Sequence, residues 1–249
     1  MTTSLQFIST TTTNGVLERE FTLGDVHGML WSPVGAGPAT APARCVLLGH
    51  GGGRDSKAAP MVGRARMLTA AGFHAVSIDA PGHGDRPRTA LDERETVAMQ
   101  HAMEVGEPVG PIVVPYNLHL AERAVPEWRA TLDALEQLPG IEGPFGYFGL
   151  NMGTAIGIPL TANDPRIAAA VFGIFWYDET LAEQARRIKV PVEFALQWDD
   201  QHIPRQSAMA LFDAFASPEK SLHANSGAHK EVPRFEADSM LRFFTRHLR

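Results

Sequence analysis

The sequence predicts an α/β fold in which a mostly parallel, eight-stranded-type sheet carries helices on both faces. Short apolar segments alternate with helical patterns from Cys45 to the end of the chain, as expected for a parallel sheet. Several of these segments run directly into glycine or polar residues, and carboxyl ends of strands are where such folds place functional groups. The length of 249 residues suits one domain. We therefore predict a single domain over residues 1–249.

Composition narrows the functional classes. The formal net charge is −6 and the basic residues are not clustered, so we predict no nucleic-acid partner. Neither a basic, apolar leader nor a segment of membrane-spanning length is visible, so we predict no membrane partner and a cytoplasmic location. The single cysteine, Cys45, lies in an apolar run and is predicted to be buried. No pattern indicates a cofactor, and a homodimer is left open.

The chain is assigned in order from its periodicity. Residues 1–15 are rich in threonine, and we predict a loose arm there. Alternating segments around Gly24 and Asp25 predict a β-hairpin, and residues 35–43 predict a loop. The spacing then predicts strands at residues 44–50, 75–79, 145–150, 167–174 and 190–196 with a short one near Leu222, and helices near residues 61–68, 128–135, 154–160, 181–188, 208–215 and 241–248.

One segment, residues 86–120, interrupts this alternation. It is too long for a simple connection and is broken by prolines and glycines. Long insertions in compact domains tend to be lids or binding loops. We predict a cap over the carboxyl ends of the strands, with Met99, Met103, Val113 or Tyr116 turned toward the pocket.

A strand-to-helix turn at residues 149–153, Gly-Leu-Asn-Met-Gly, follows the apolar strand that starts at Phe145. A glycine on each side lets the strained turn pass close to its neighbours and lifts the central side chain above the sheet. This is the pattern of a nucleophile elbow, G-x-S-x-G, except that Asn151 stands in the place of serine. By itself the pattern is also typical of an ordinary strand-to-helix turn.

Three further segments accompany the elbow. Residues 50–53, His-Gly-Gly-Gly, follow a strand, and backbone N–H groups there could approach a developing oxyanion. Asp200 lies after another strand, with Asp199 as its neighbouring alternative, and such acidic pairs are also common in turns. His229 lies in the Ser-Gly-Ala-His segment before the last helix. It is singled out among ten histidines because it follows the elbow and the acid in that order.

Together these segments resemble the α/β-hydrolase superfamily, with the dienelactone-hydrolase-like and serine-esterase-like branches most similar. The resemblance spans about residues 20–249. It implies Asn151, Asp200 and His229 as the catalytic group, with His229 as base and Asp200 orienting it. It further implies an oxyanion hole formed by Gly52 and the Met152 N–H. Residues predicted to bind substrate are Gly51, Gly53, Met103, Tyr116, Trp176 and Trp198.

Asn151 changes the chemistry that the resemblance implies, because an amide has no hydroxyl for a base to deprotonate. Three hypotheses follow. The chain has lost acyl-enzyme chemistry and binds a small hydrophobic ligand or a partner protein. Alternatively, it remains an enzyme in which His229 activates water while Asn151 and backbone donors hold an oxyanion. In the third, Asn151 is an engineered or a deamidated position.

The leading prediction is an enzyme acting on a small ester, lactone or related carbonyl compound, and the alternative is the non-catalytic binding protein. Retention of both Asp200 and His229 beside the glycine loop favours the enzyme. A metal site at His50, His83 or His229 is not predicted, because the spacing matches no metal motif. His202 is expected to face solvent or to cap its loop, and Asp79 and His83 are expected to be structural.

Overall fold

The computed structural model describes residues 4–35 and 43–248, and the α/β fold predicted from sequence is confirmed. Its strands are β1 (Gln6–Thr13), β2 (Val16–Leu23), β3 (Val26–Pro33), β4 (Cys45–Gly49), β5 (His74–Ile78), β6 (Phe145–Gly149), β7 (Ile167–Gly173), β8 (Val192–Gln197) and β9 (Lys220–Asn225). Its helices are α1 (Ala59–Ala70), α2 (Ala90–Val105), α3 (Gly110–Leu135), α4 (Met152–Asn163), α5 (Glu179–Ala185), α6 (Arg205–Ala214) and α7 (Phe235–His247). Most of the loop predicted at residues 35–43 lies outside the described residues.

The strands form one sheet in the order β1-β2-β3-β5-β4-β6-β7-β8-β9. The first three strands and the β3–β5 pair are antiparallel, and every pair from β5 through β4 to β9 is parallel. The parallel strands therefore present their carboxyl ends along one edge of the sheet. This edge carries the loops that follow β4, β5, β6, β8 and β9.

The core lies in two layers, one on each face of the sheet. Successive strand residues point to opposite faces, so Tyr147 belongs to one cluster and its neighbour Phe148 to the other. The cluster around Tyr147 includes Trp128 of α3 and most of α4. The cluster around Phe148 includes residues of α1 and α7. Cys45 is buried as expected.

The first residues of the chain are not the loose arm that the threonine content suggested. Residues 6–13 form β1, which pairs antiparallel with β2 at the edge of the sheet. The turn between these strands is Asn14-Gly15, where both residues have positive φ (51° and 78°). This dipeptide is a strong signal for a two-residue hairpin, and it brings the sheet to nine strands instead of eight.

The predicted cap needs a corrected boundary. Residues 86–120 comprise α2 and only the first part of α3, which continues without interruption to Leu135. Pro115 and Pro126 lie inside this helix. The later turns of α3 are core, since Leu120 and Leu132 are fully buried, whereas α2 buries only Asp92 and Ala102. Within the described residues, no helix combines the length and apolarity needed to cross a membrane.

Candidate active site

Asn151 occupies the turn between β6 and α4 in a strained conformation. Its φ of 58° and ψ of −123° lie outside the regions that side-chain-bearing residues normally adopt. Such a conformation costs on the order of 1–3 kcal/mol and persists only where its surroundings determine it. Here the Asn151 N–H donates to Gly173 O (3.0 Å) and its carbonyl accepts from Thr154 N (2.9 Å). The turn holds the Asn151 side chain above the sheet.

The flanking glycines are required by backbone packing. A Cβ on Gly149 would lie 2.5 Å from Gly153 O, and one on Gly153 would lie 2.7 Å from Gly49 O. Both distances are far below van der Waals contact. The atoms that these Cβ groups would meet are backbone atoms of β4 and of the elbow itself. They cannot move away without displacing the sheet.

We expect Gly153→Ala to lower the free energy of unfolding by about 1–3 kcal/mol, since overpacking here must shift backbone. Urea denaturation followed by circular dichroism measures the change. Gly63→Ala is the matched control, because a Cβ at this exposed position in α1 meets nothing within 4 Å. The control should gain up to about 1 kcal/mol through helix propensity. Equal stability of the two variants would contradict the packing argument.

Asn151, His229 and Asp200 form a continuous hydrogen-bonded chain. His229 Nδ1 lies 2.7 Å from Asp200 Oδ2, and Asn151 Nδ2 lies 2.8 Å from His229 Nε2. A carboxylate only accepts, so Nδ1 carries the proton and donates it to Asp200. The amide nitrogen only donates, so Nε2 presents its lone pair to Asn151. The geometry therefore selects the neutral tautomer that a general base requires.

Asp200 is held by its own loop as well as by His229. Its Oδ1 accepts from the N–H groups of His202 (2.8 Å) and Ile203 (3.0 Å), and its side chain is 2% exposed. Burial alone would raise the pKa of Asp200, but the hydrogen bonds from His229 and these N–H groups outweigh burial and lower it. Asp200 is consequently an ionised orienting group. Its neighbour Asp199 instead accepts from Gly227 N.

The backbone donors expected for an oxyanion lie beside Asn151. Met152 is the first residue of α4, so its N–H has no partner within the helix. A Cβ built on Gly51 would lie 4.0 Å from Asn151 Cβ, which places the 51–53 loop directly across from the elbow. Gly52 and Gly53 line the cavity above it. This arrangement is compatible with Gly52 and Met152 as the donor pair.

A cavity of about 330 Å³ lies beside the hydrogen-bonded side chains of the candidate site, and Asn151 and His229 form part of its wall. Met99, Met103, Val113 and Tyr116 line it, and so does Trp176. They come from α2, from the first half of α3 and from the segment after β7. The cavity is therefore mainly apolar, although Thr96, Gln100 and Asn117 of the same helices also line it.

Tyr116 is held in this wall by a buried carboxylate. Its hydroxyl donates to Asp92 Oδ1 (3.1 Å), and Asp92 also caps α2 through Thr89. Burial and the Asp92 charge raise the pKa of Tyr116 to about 12, so the phenol stays neutral. Arg123 lies 3.6 Å from the same carboxylate. This network ties α2 to α3 over the cavity.

Two residues predicted to bind substrate do not line the cavity. The side chain of Trp198 is 44% exposed, and Arg205 lies over its ring at 4.3 Å. Successive residues at the end of a strand point in different directions, and Trp198 points away from the cavity. Gly51 lines the groove that adjoins the cavity at Asn151.

The structure also adds residues that the sequence did not single out. The His202 ring packs edge-on against His229 with centroids 5.3 Å apart, so it contacts the site and does not simply face solvent. Burial and the nearby His229 lower the pKa of His202. Arg88, Asn117 and Lys230 also line the cavity. No motif surrounds any of these residues in the sequence. The only signal for His202 was its position two residues after Asp200.

Among the described residues, one group of side chains could hold a metal ion, namely Glu193, His223 and Glu236. None of them lines the cavity. His223 Nδ1 lies 2.8 Å from Glu236 and its Nε2 lies 3.6 Å from Glu193. Both ring nitrogens thus already face carboxylates, as in an ion-pair cluster. His50 is engaged structurally, since its Nε2 accepts from Ala80 N.

Comparison with known proteins gives similarity at the level of structure. No protein-family model matches the sequence, and no curated protein matches it. A cold-adapted esterase from an Arctic intertidal metagenomic library is 31% identical, with a TM-score of 0.78 over 99% of this chain and 100% of that one. Acetyl xylan esterase 1 from a Thermoanaerobacterium species is 14% identical (TM-score 0.71, 98% and 87% covered). Dienelactone hydrolase from Anabaena variabilis is 18% identical (TM-score 0.62, 99% and 100% covered).

Proposed function

Because the chain belongs to the α/β-hydrolase superfamily, we propose that it hydrolyses a small ester, lactone or related carbonyl compound with His229 as general base. One observation carries the proposal. Asp200 at 2.7 Å orients His229 so that its Nε2 lone pair points toward Asn151 and the cavity. The esterase at 31% identity supports ester chemistry for this arrangement.

In the proposed reaction, water replaces the Asn151 amide as the partner of His229 Nε2. His229 takes a proton from this water while the water oxygen forms a bond to the carbonyl carbon. The intermediate then expels the alkoxide, which receives the proton from His229 as the C–O bond breaks. Asp200 stabilises the imidazolium between these steps without itself accepting the proton. No covalent enzyme intermediate is formed.

Oxyanion stabilisation completes the proposal. The Met152 N–H at the start of α4 is aimed by the helix, whose amino end favours developing negative charge. Gly52 N–H is the second donor. The displaced Asn151 amide becomes a third donor to the oxyanion of the tetrahedral intermediate. Its Nδ2 bears two hydrogens, and one of them is enough for this hydrogen bond. The apolar cavity receives the acyl or ring portion.

The test is hydrolysis of a panel of short-chain esters and lactones by the wild type and by His229→Ala. We expect the variant to lose activity by about 10²- to 10⁴-fold, the usual contribution of a positioned base. His101→Ala is the matched control, because this exposed histidine of α2 does not line the cavity. Activity that persists in His229→Ala would remove His229 as the base.

A second candidate function is non-catalytic binding of a small hydrophobic ligand or a partner protein. The observation that favours it is the 2.8 Å contact from Asn151 Nδ2 to His229 Nε2, which occupies the lone pair that water would need. On this alternative, esters of the panel raise the melting temperature of the wild type without being turned over. Turnover that depends on His229 excludes it.

A further inference from the structure

A second depression, the cationic groove, adjoins the cavity at Asn151. It has a volume of about 1070 Å³ and runs between the 51–54 loop, α1 and the 230–237 segment. Five residues line both depressions, so the groove and the cavity meet at the candidate catalytic group: Gly52, Gly53, Asn151, His229 and Lys230. Among the described residues that line the groove, none is acidic and four are basic: Arg54, Arg64, Lys230 and Arg234.

Arg64 is the central cation of this groove. It projects from α1, stacks over the Phe148 ring at 4.4 Å and donates from Nη1 to Pro60 O (3.0 Å). Its Nε is buried without a hydrogen-bond partner. Burial first, and then the neighbouring Arg54 charge, lower the pKa of Arg64 to about 10. A buried guanidinium with a spare donor and a like-charged neighbour is destabilising unless an anion neutralises it.

The groove cations lie without carboxylate partners. Several other arginines of the described structure do lie against acids, as Arg66 does with Glu18, Arg86 with Glu127 and Arg166 with Asp164. No ion pair is formed by the four groove cations among the described residues. The whole protein carries a net charge of −6, so this concentration of positive charge is local. Such a groove raises the local concentration of anions beside the elbow.

We propose that the cationic groove binds a carboxylate or phosphate group of the substrate, so that the enzyme acts on esters with an anionic alcohol portion. The proposal rests on the proposed function for the identity of the bond that is cleaved. The carbonyl carbon lies at Asn151, where the two depressions meet. The apolar acyl portion occupies the cavity, and the anionic portion extends into the groove toward Arg64. Guanidinium groups suit this task because their planar donors match carboxylate and phosphate oxygens.

The first test measures anion binding without any turnover. Melting of the wild type is compared in sodium phosphate and in sodium chloride at equal ionic strength. Phosphate should raise the melting temperature, because a ligand of the native state stabilises it. Arg64→Met, which keeps apolar contact with Phe148, should lose this rise. Lys189→Met is the matched control, since Lys189 is exposed and lies before β8, at the opposite ends of the strands.

The second test measures substrate preference with two butyrate esters, those of glycolic acid and of glycolamide, which differ in one charge. The wild type should favour the glycolate ester in kcat/KM by about tenfold or more, as expected for charge-assisted hydrogen bonds. Arg64→Met should abolish that preference, because kcat/KM for the glycolate ester falls far more than kcat/KM for the glycolamide ester. If Arg64→Met does not fold, the double variant of the exposed residues, Arg54→Gln with Arg234→Gln, must weaken both effects.

The outcomes separate the two proposals. If phosphate raises the melting temperature in a way that depends on Arg64, but the protein hydrolyses neither ester, the anion site is supported and the proposed function is refuted. Hydrolysis of both esters at equal rates, with no phosphate effect, keeps the function and refutes the anion site. A phosphate effect or charge preference that survives all the groove variants also overturns the site.

Discussion

Asn151→Ser should create an esterase that forms an acyl-enzyme, with hydrolysis of short activated esters on the order of 10²- to 10⁴-fold faster than the wild type. In the proposed mechanism His229 is the base and Asp200 orients it, and both already lie in a hydrogen-bonded chain with Asn151. Only the nucleophilic oxygen is missing. Serine is smaller than asparagine, so the strained turn accepts it without a clash.

The required adjustment is small. The serine hydroxyl ends one bond short of the asparagine amide nitrogen, so His229 must approach by at most about 1.3 Å. Catalytic hydrogen bonds in unliganded enzymes are often longer than ideal and tighten when substrate binds. The hydroxyl then donates to the His229 Nε2 lone pair, which accepts from the amide in the wild type.

Stopped-flow measurement of a burst of alcohol release, together with labelling by a fluorophosphonate probe at residue 151, would establish the acyl-enzyme. The wild type should show neither. Adding His229→Ala should abolish the gain. Asn151→Ala is the second control, because it frees the His229 lone pair without supplying a hydroxyl. A gain in Asn151→Ala as large as in Asn151→Ser would mean that water, and not the serine, is the nucleophile in both.

Asp200→Asn should produce the second largest effect, a loss on the order of 10²- to 10⁴-fold in the activity of the Asn151→Ser protein. An amide at this position can donate to His229 Nδ1, which places the imidazole proton on Nε2 instead. That tautomer offers no lone pair to residue 151. The imidazole remains in place and loses its function as a base.

The tautomer can be observed without turnover. Proton–nitrogen correlation spectra of the wild type should show Nδ1 of His229 protonated, and Asp200→Asn should shift the proton to Nε2. Asp200→Glu serves as the conservative control, because its carboxylate still accepts and should preserve the Nδ1–H tautomer. An unchanged tautomer in Asp200→Asn, with the activity lost, would show that Asp200 acts by another route.

Stability gives an independent measure of the same carboxylate. The pKa of Asp200 is lowered in the native state, so the ionised carboxylate stabilises the folded protein. This stabilisation is fully present above the ordinary aspartate pKa of about 3.9, and it is lost as the pH falls through the lowered native pKa. Near neutral pH we expect Asp200→Asn to cost about 1–3 kcal/mol. This difference from the wild type should shrink as the solution is acidified below about pH 4.

Patterns within short stretches of the sequence were sufficient to predict much of the fold. They were also sufficient to select Asn151, Asp200 and His229 as the candidate site. Alternating apolar segments predicted the parallel sheet because strands buried on both faces must be apolar. The glycines of the elbow identified a close backbone approach, and the structure locates it at Gly153 against Gly49. Chain order then selected His229 and Asp200, which lie 29 residues apart in sequence and 2.7 Å apart in space.

Two features of the fold were predicted wrongly although the sequence contained signals for them. Asn14-Gly15 predicts a hairpin, yet the threonine-rich composition around it favoured a loose arm, and β1 was missed. The predicted cap covered residues 86–120, which the sequence shows as a segment broken by prolines. Instead, α3 continues through it, since the buried face of the helix from Leu120 to Leu135 packs on the core.

Local pattern was enough to predict the class of fold, the glycine-flanked turn at Asn151 and the chain order of Asp200 and His229. The orientation of His229 between Asn151 and Asp200, and the packing of His202 against it, became visible only in three dimensions. The same is true of the groove that groups Arg54, Arg64, Lys230 and Arg234. The physical reason is that orientation and charge density depend on contacts between distant segments. No spacing along the chain encodes where four separate cations meet.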